Sequence, residues 1–219
     1  MKILWLKIMF LFFGCVASIH SMTFDLSPLG SKSRIEINLS TGFGSGSIRG
    51  SIDQVRGKID MIVETPENMD GAVLLDARKI RFGYGKVDHD AHKVDWLHSS
   101  QYPRISFELN GLDKIRWAGR VLNAEAKGSL TLKGKSSNVS LPVSIRYLRA
   151  QRRKFDGRSG DLLLLNGELL LSRKDFGINP GGMLDSIMDE IRVKVTIYGC
   201  SDKIRPFLPS PLFGRGHSF

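Results

Sequence analysis

Residues 161–173 read Asp-Leu-Leu-Leu-Leu-Asn-Gly-Glu-Leu-Leu-Leu-Ser-Arg. Successive side chains of an extended strand point to opposite faces, so Leu162 to Leu165 and Leu169 to Leu171 make both faces of this segment apolar. A barrel strand with water outside needs only one such face. Two readings account for the second: the outer face is covered by a helix or by the N-terminal segment, or one face lines an apolar cavity. In the latter case Leu163, Leu165, Leu169 and Leu171, with Gly167 leaving space among them, border a cavity of the size an eight-stranded barrel encloses.

The segments around this strand repeat with period two. Ile35, Ile37 and Leu39 alternate with Arg34, Glu36 and Asn38; Ile59, Met61 and Val63 flank Asp60 and Ile62; Ile105, Phe107 and Leu109 alternate with Arg104, Ser106 and Glu108. This is the pattern of half-buried antiparallel strands. Further strand-like runs cover 48–53, 72–80, 120–133, 138–149 and 190–198, with turn residues such as Gly50, Gly57, Asn110-Gly111, Gly134 and Asp156-Gly157 between runs. Only 88–98 and 183–190 read as short helices, the second placing Met183, Leu184, Ile187 and Met188 on one face. Eight or so strands with one or two short helices predict an all-β fold, and closure into an antiparallel barrel removes the exposed edges most simply.

The 219 residues, 42% apolar and 25% charged, are enough for one large domain and exclude disordered, collagen-like and coiled-coil chains. Residues 1–21 read as a secretory signal peptide: Lys2 and Lys7 precede the apolar run 8–17, and Ser18 and Ser21 offer small residues for cleavage. Residues 22–200 form the domain, and 201–219, with Pro206, Pro209 and Pro211, read as a disordered tail. Loss of 1–21 removes Cys15 and leaves Cys200 without an internal disulfide partner. It also removes two lysines, taking the formal charge from +10 to +8.

Catalytic signatures are sparse. The sequence contains no Gly-x-Ser-x-Gly, no His-Glu-x-x-His and no glycine-rich nucleotide fingerprint, and Asp175-Phe176-Gly177 lacks the phosphate loop and catalytic loop that give the same triplet its meaning in kinases. His89, His92 and His98 with Asp88, Asp90 and Asp95 hold metal-ligand types, but a structural metal site needs more ligands at defined spacing, so neither a metal nor catalytic residues are expected. The densest basic run is Arg146, Arg149, Arg152, Arg153, Lys154 and Arg158. It reads as a solvated hairpin or as a surface that docks an anionic membrane, where each cation contributes about 1 kcal/mol. Nucleic acid fits less well, because Phe82, Tyr84, Trp96, Phe107 and Trp117 are not interleaved with this run.

Three groups of residues carry a family resemblance. Asp90-Ala91-His92-Lys93, Trp96-Leu97 and Tyr102-Pro103-Arg104-Ile105-Ser106-Phe107 resemble the Asp-x-His element and the Tyr-Pro-x-Ile-x-Phe element of the YceI family. Gly128-Ser129-Leu130-Thr131-Leu132-Lys133-Gly134 is similar to its Gly-x-Leu-Thr-x-x-Gly turn, and Arg173-Lys174-Asp175-Phe176-Gly177-Ile178 to its Arg-x-x-Phe-Gly-Ile element. Order and spacing agree from about residue 31 to 200, although the family's opening Asp-x-x-His-Ser is replaced by Ser31-Lys32-Ser33-Arg34-Ile35. The resemblance implies a lipocalin-like barrel, exported to the periplasm, that binds a polyisoprenoid or other long amphiphilic lipid without catalysis. Its expected walls are Phe107, Trp117, Leu163, Leu165, Leu169 and Leu171, with Trp96, Leu97, Phe176, Met183 and Ile187 near the ends. Gly42, Gly44, Gly46 and residues 183–191 are candidates for a rim and lid. No cofactor is expected apart from a bound isoprenoid or quinone-like lipid. An anionic membrane is a candidate partner, a homodimer is left open, and the competing reading is a filled barrel acting through Arg146, Arg149, Arg152, Arg153 and Lys154.

Overall fold

The computed structural model describes residues 21–42, 46–179 and 187–206. Ten antiparallel strands run in chain order: β1 (Ser21–Asp25), β2 (Arg34–Ser40), β3 (Ser47–Ile52), β4 (Arg56–Ile62), β5 (Asp70–Asp76), β6 (Arg104–Ala118), β7 (Val121–Leu132), β8 (Lys135–Leu148), β9 (Leu162–Ser172) and β10 (Glu190–Cys200). Two short helices, α1 (Gly85–Ala91) and α2 (Arg153–Asp156), complete the frame.

Eight of the strands form a ring in the order β1-β4-β5-β6-β7-β8-β9-β10, which closes where Asp25 of β1 meets Cys200 of β10. The same edge of β10 is occupied along Ile191–Thr196 by β2, whose partner β3 is the tenth strand. β3 reaches the ring again through paired bonds between Ser51 and Arg81, at 2.8 and 3.1 Å. The lipocalin-like barrel expected from the sequence is therefore present, with an extra hairpin let into one side. β1 was absent from the period-two pattern because only Met22 and Phe24 of its five residues are apolar and buried.

The helix expected over 88–98 is displaced: α1 spans Gly85–Ala91 and a series of turns follows. Of the helix expected over 183–190, Met183 lies outside the described residues, Ile187 to Asp189 are not helical and Glu190 opens β10. The basic hairpin between β8 and β9 contains the single turn α2, ended by Gly157 at φ +79°. Among the described residues no helix is long and apolar enough to cross a membrane.

The barrel interior has two parts. Near the Cys200 end it is packed solid by Phe24, Leu26, Met61, Leu122, Ile145 and Leu163, all nearly inaccessible. Phe24 meets the Tyr147 ring edge-on at 6.2 Å, and the Tyr147 hydroxyl donates to Asp161 at 2.6 Å. Asp161 also accepts from the amides of Ala150 and Arg205 at 2.6 and 2.8 Å, fastening the stretch after β10 across this end. The other part, bounded by the Ile191 end of β10 and by α1, encloses a cavity.

Candidate functional site

The strand β9 supplies one wall of that cavity through Leu165, Leu169 and Leu171, paired across to Ile197, Val193 and Ile191 of β10. The inward phases of β2 (Ile35, Ile37, Leu39), β5 (Val73, Leu75) and β6 (Ile105, Phe107, Leu109) continue the wall around the ring. Phe107 packs against Gly128 of β7, where a Cβ would come within 2.7 Å of its ring, so this glycine makes room for an aromatic wall residue. Gly167 works similarly: its missing side chain is replaced by Leu141 Cδ1 and Val143 Cγ1, so it draws β8 close rather than widening the cavity as expected.

The cavity measures about 410 Å³, within the usual range for small-molecule sites. Of the side chains around it only Asp90 is charged, and that carboxylate is paired with Lys93 at 2.7 Å on α1. Val87 and Ala91 of α1, with Trp96, Leu97, Ile178 and Ile187, cover the end. The inner face of β9 borders the cavity as expected, while the outer face is covered at one end only: Leu162 packs with Leu29, Cys200 and Phe155 under the N-terminal segment and α2, and Leu170 stays 52% exposed.

The covering end is tied by polar contacts that keep their atoms outside the apolar space. Arg173, 1% exposed, donates to the carbonyls of Ile187 (2.7 Å) and Met188 (3.0 Å), and its guanidinium sits 5.2 Å from the centre of the Trp96 ring. Burial lowers its pKa from the usual arginine value, opposed by Asp189. Lys133 bridges the carbonyls of Gly177 (2.9 Å) and Asp95 (3.2 Å), and the Asn179 amide donates to Asp95 at 2.7 Å. His92 bonds Ser99 at 2.9 Å and the Ile80 carbonyl at 3.3 Å, which is the loop-tying role rather than a ligand role. Among the described residues no group of three or more His, Cys, Asp and Glu is placed to hold a metal ion. Burial pushes the Cys200 thiol up from its ordinary value, against any nucleophilic use.

Trp96, Leu97, Phe107, Leu165, Leu169, Leu171 and Ile187 border the cavity, and three expected wall residues do not. Leu163 faces inward but lies in the packed half. Phe176 is buried beside the cavity without bordering it. Trp117 is corrected to an exposed residue, 47% accessible. The two register shifts of β6 each insert one residue, two in all, so the alternation of faces is restored and Trp117 pairs with Leu122, yet it stands at the tip of the β6–β7 hairpin at the far end of the barrel. Met183 and Gly44 fall outside the described residues. Ile37, Val73, Val193 and Val195 were missed as wall residues, although the alternation around Ile37 was visible.

The basic hairpin also requires a correction. Arg146, Arg153 and Lys154 are exposed, but Arg152 is 1% accessible and bonded to Asp156 (2.9 Å) and Asp202, so it cannot meet a membrane. Arg149 donates to the Arg205 carbonyl at 2.7 Å. The hairpin stands at the packed end, opposite the cavity.

A closed antiparallel barrel with an apolar cavity at one end defines a lipocalin-like fold. The chain belongs to the YceI family: the family's YceI-like domain matches residues 24–198. Burkholderia cenocepacia BcnA is similar in structure, at 18% identity and TM-score 0.64, covering 77% of this chain and 97% of its own. Campylobacter jejuni YceI protein superposes at TM-score 0.62 with 14% identity, over 74% of this chain and 89% of its own. A polyisoprenoid-binding domain from Saccharophagus degradans, implicated in plant cell wall breakdown, matches at TM-score 0.59 and 10% identity, over 83% of this chain and 99% of its own. No curated protein matches the chain.

Proposed function

We propose that this protein is an exported, non-enzymatic carrier that holds the hydrocarbon tail of a polyisoprenoid or comparable long amphiphilic lipid in the cavity beneath α1. The observation that carries the reading is a cavity of about 410 Å³ bordered by one charged side chain and otherwise by apolar ones. Such walls offer a tail about 0.8 kcal/mol per buried methylene and offer a polar substrate nothing. The Saccharophagus relative, whose description names polyisoprenoid binding, supports the same ligand class. The lysine-flanked apolar run of residues 1–21 supports export to the periplasm.

Uptake of a fluorescent prenyl lipid by the purified protein tests the reading. Leu165→Arg, which introduces a charge into the wall, is expected to abolish uptake. Val193→Phe, which takes up space without charge, is expected to weaken it in a barrel whose circular dichroism is unchanged. Undiminished uptake by both folded variants would place the lipid elsewhere.

A further inference from the structure

The cavity's apolar walls suit a tail but offer no place for a polar head, and its one charged neighbour, Asp90, is an acid. A second concavity, a groove of about 630 Å³, lies on the outside of the barrel across β10, β2 and β3 and runs up to residues 81–83. Arg34, Arg49, Arg81, Arg192 and Lys194 border it, against one carboxylate, Glu36. Two acids outside the groove offset part of this charge: Asp53 lies 3.9 Å from Arg34, and Glu168 lies 3.2 Å from Arg192. Glu36 itself is 3.4 Å from Arg34. Arg49 and Lys194 are exposed and have no acidic partner among the described residues.

The groove and the cavity adjoin. Ile37 and Phe82 border both, and the Phe82 ring rests on Gly50 of β3, where a Cβ would lie 2.7 Å from it. The seam between β3 and residues 81–83 is held by the Ser51–Arg81 bridge. At this point the wall between the cationic groove and the apolar cavity is about one aromatic ring thick.

We infer that the groove seats an anionic headgroup, a phosphate or diphosphate ester, of a lipid whose tail passes the Phe82 seam into the cavity. The inference rests on the lipid-carrier reading and narrows its ligand from amphiphiles in general to anionic ones. Guanidinium groups match phosphate oxygens by paired, charge-assisted hydrogen bonds, and the outer position leaves the charge in contact with water instead of burying it.

The test is equilibrium binding to the full chain of three probes: farnesyl phosphate, farnesol and inorganic phosphate. Farnesyl phosphate is expected to bind at least about tenfold more tightly than farnesol, the effect of one or two charge-assisted contacts. Inorganic phosphate is expected to bind far more weakly than either lipid. Arg49→Gln with Lys194→Gln, both surface changes, should remove most of the preference for the phosphate and leave farnesol affinity unchanged. Equal affinities for the two lipids, or a double variant that keeps the preference, would overturn the headgroup assignment while leaving the carrier reading intact. Comparable binding of inorganic phosphate, lost in the double variant, would make the groove a free-anion site and overturn the assignment as well. Failure of both lipids to bind would remove the carrier reading itself, and the headgroup assignment with it.

Discussion

The two halves of this barrel solve opposite problems with the same strands. At the Cys200 end, Phe24, Met61, Leu122 and Ile145 fill the interior, and the Tyr147 hydroxyl, two backbone amides and Arg152 that close it bond to the carboxylates of Asp161, Asp156 and Asp202. At the α1 end, inward residues of the same strands stop short of one another, and the closing polar groups, Arg173, Lys133 and His92, bond to carbonyls and a hydroxyl rather than to carboxylates. A closely packed interior holds the strands in register, which permits the remainder of the ring to keep a cavity without collapsing. The packed interior and the cavity are thus separated along the barrel axis, and substitutions at the two ends should have different consequences.

The largest effect is expected at Asp161. Its carboxylate is inaccessible and serves the Tyr147 hydroxyl and two backbone amides. Asp161→Ala strands those donors, and urea unfolding should show a loss of about 3 kcal/mol or more, with prenyl-lipid affinity unchanged in the folded fraction. A loss of binding without a loss of stability would invert the comparison. Burial, then the bond to Asp161, holds the Tyr147 hydroxyl above the usual phenol range, so Tyr147 should stay protonated through ordinary alkaline titration.

A matched pair sharpens the contrast. Leu122→Ala in the packed half should cost about 2–5 kcal/mol, because a fully surrounded side chain leaves a new void. Leu165→Ala, beside the existing cavity, should cost about 1–2 kcal/mol, since part of its surface already lacks contacts. Only the second should alter lipid uptake. Equal costs in urea titrations would argue that the interior is uniform.

How far the sequence alone shows these halves depends on what decides each feature. Strand identity and facing follow from alternation, and Phe107, Leu165, Leu169 and Leu171 were placed correctly on inner faces. Height along the barrel leaves no periodic signal, which is why Leu163 and Trp117 were assigned to the cavity from their facing, although they stand in the packed half and at a hairpin tip. Arg152 misled for a different reason. Within its run it resembles a surface cation, and its partner Asp202 lies 50 residues away, across a contact only the folded chain creates. The groove of Arg34, Arg49, Arg81, Arg192 and Lys194 was invisible for the same reason, since its five cations come from four separated segments, two of them from β10.

A small effect completes the series. The side-chain bond from Arg78 holds the Asp76 carboxyl at about 2, below its ordinary 3.8. A carboxylate with a depressed folded value adds stability that is present above its unfolded value and lost as pH falls from about 4 towards 2. Arg78 is well exposed and the Asp76 side chain is 33% exposed, so solvent screens the pair and the gain is modest. Asp76→Asn should lower the urea midpoint modestly at neutral pH, leave it nearly unchanged near pH 2, and so flatten the decline across this window.

The central claim is that the α1 end holds a lipid tail, and native mass spectrometry of the protein purified from its own cells, followed by organic extraction, tests it most directly. The expected result is a stoichiometric adduct that releases an isoprenoid lipid bearing an anionic head. Bare protein that also takes up no added prenyl lipid would contradict it.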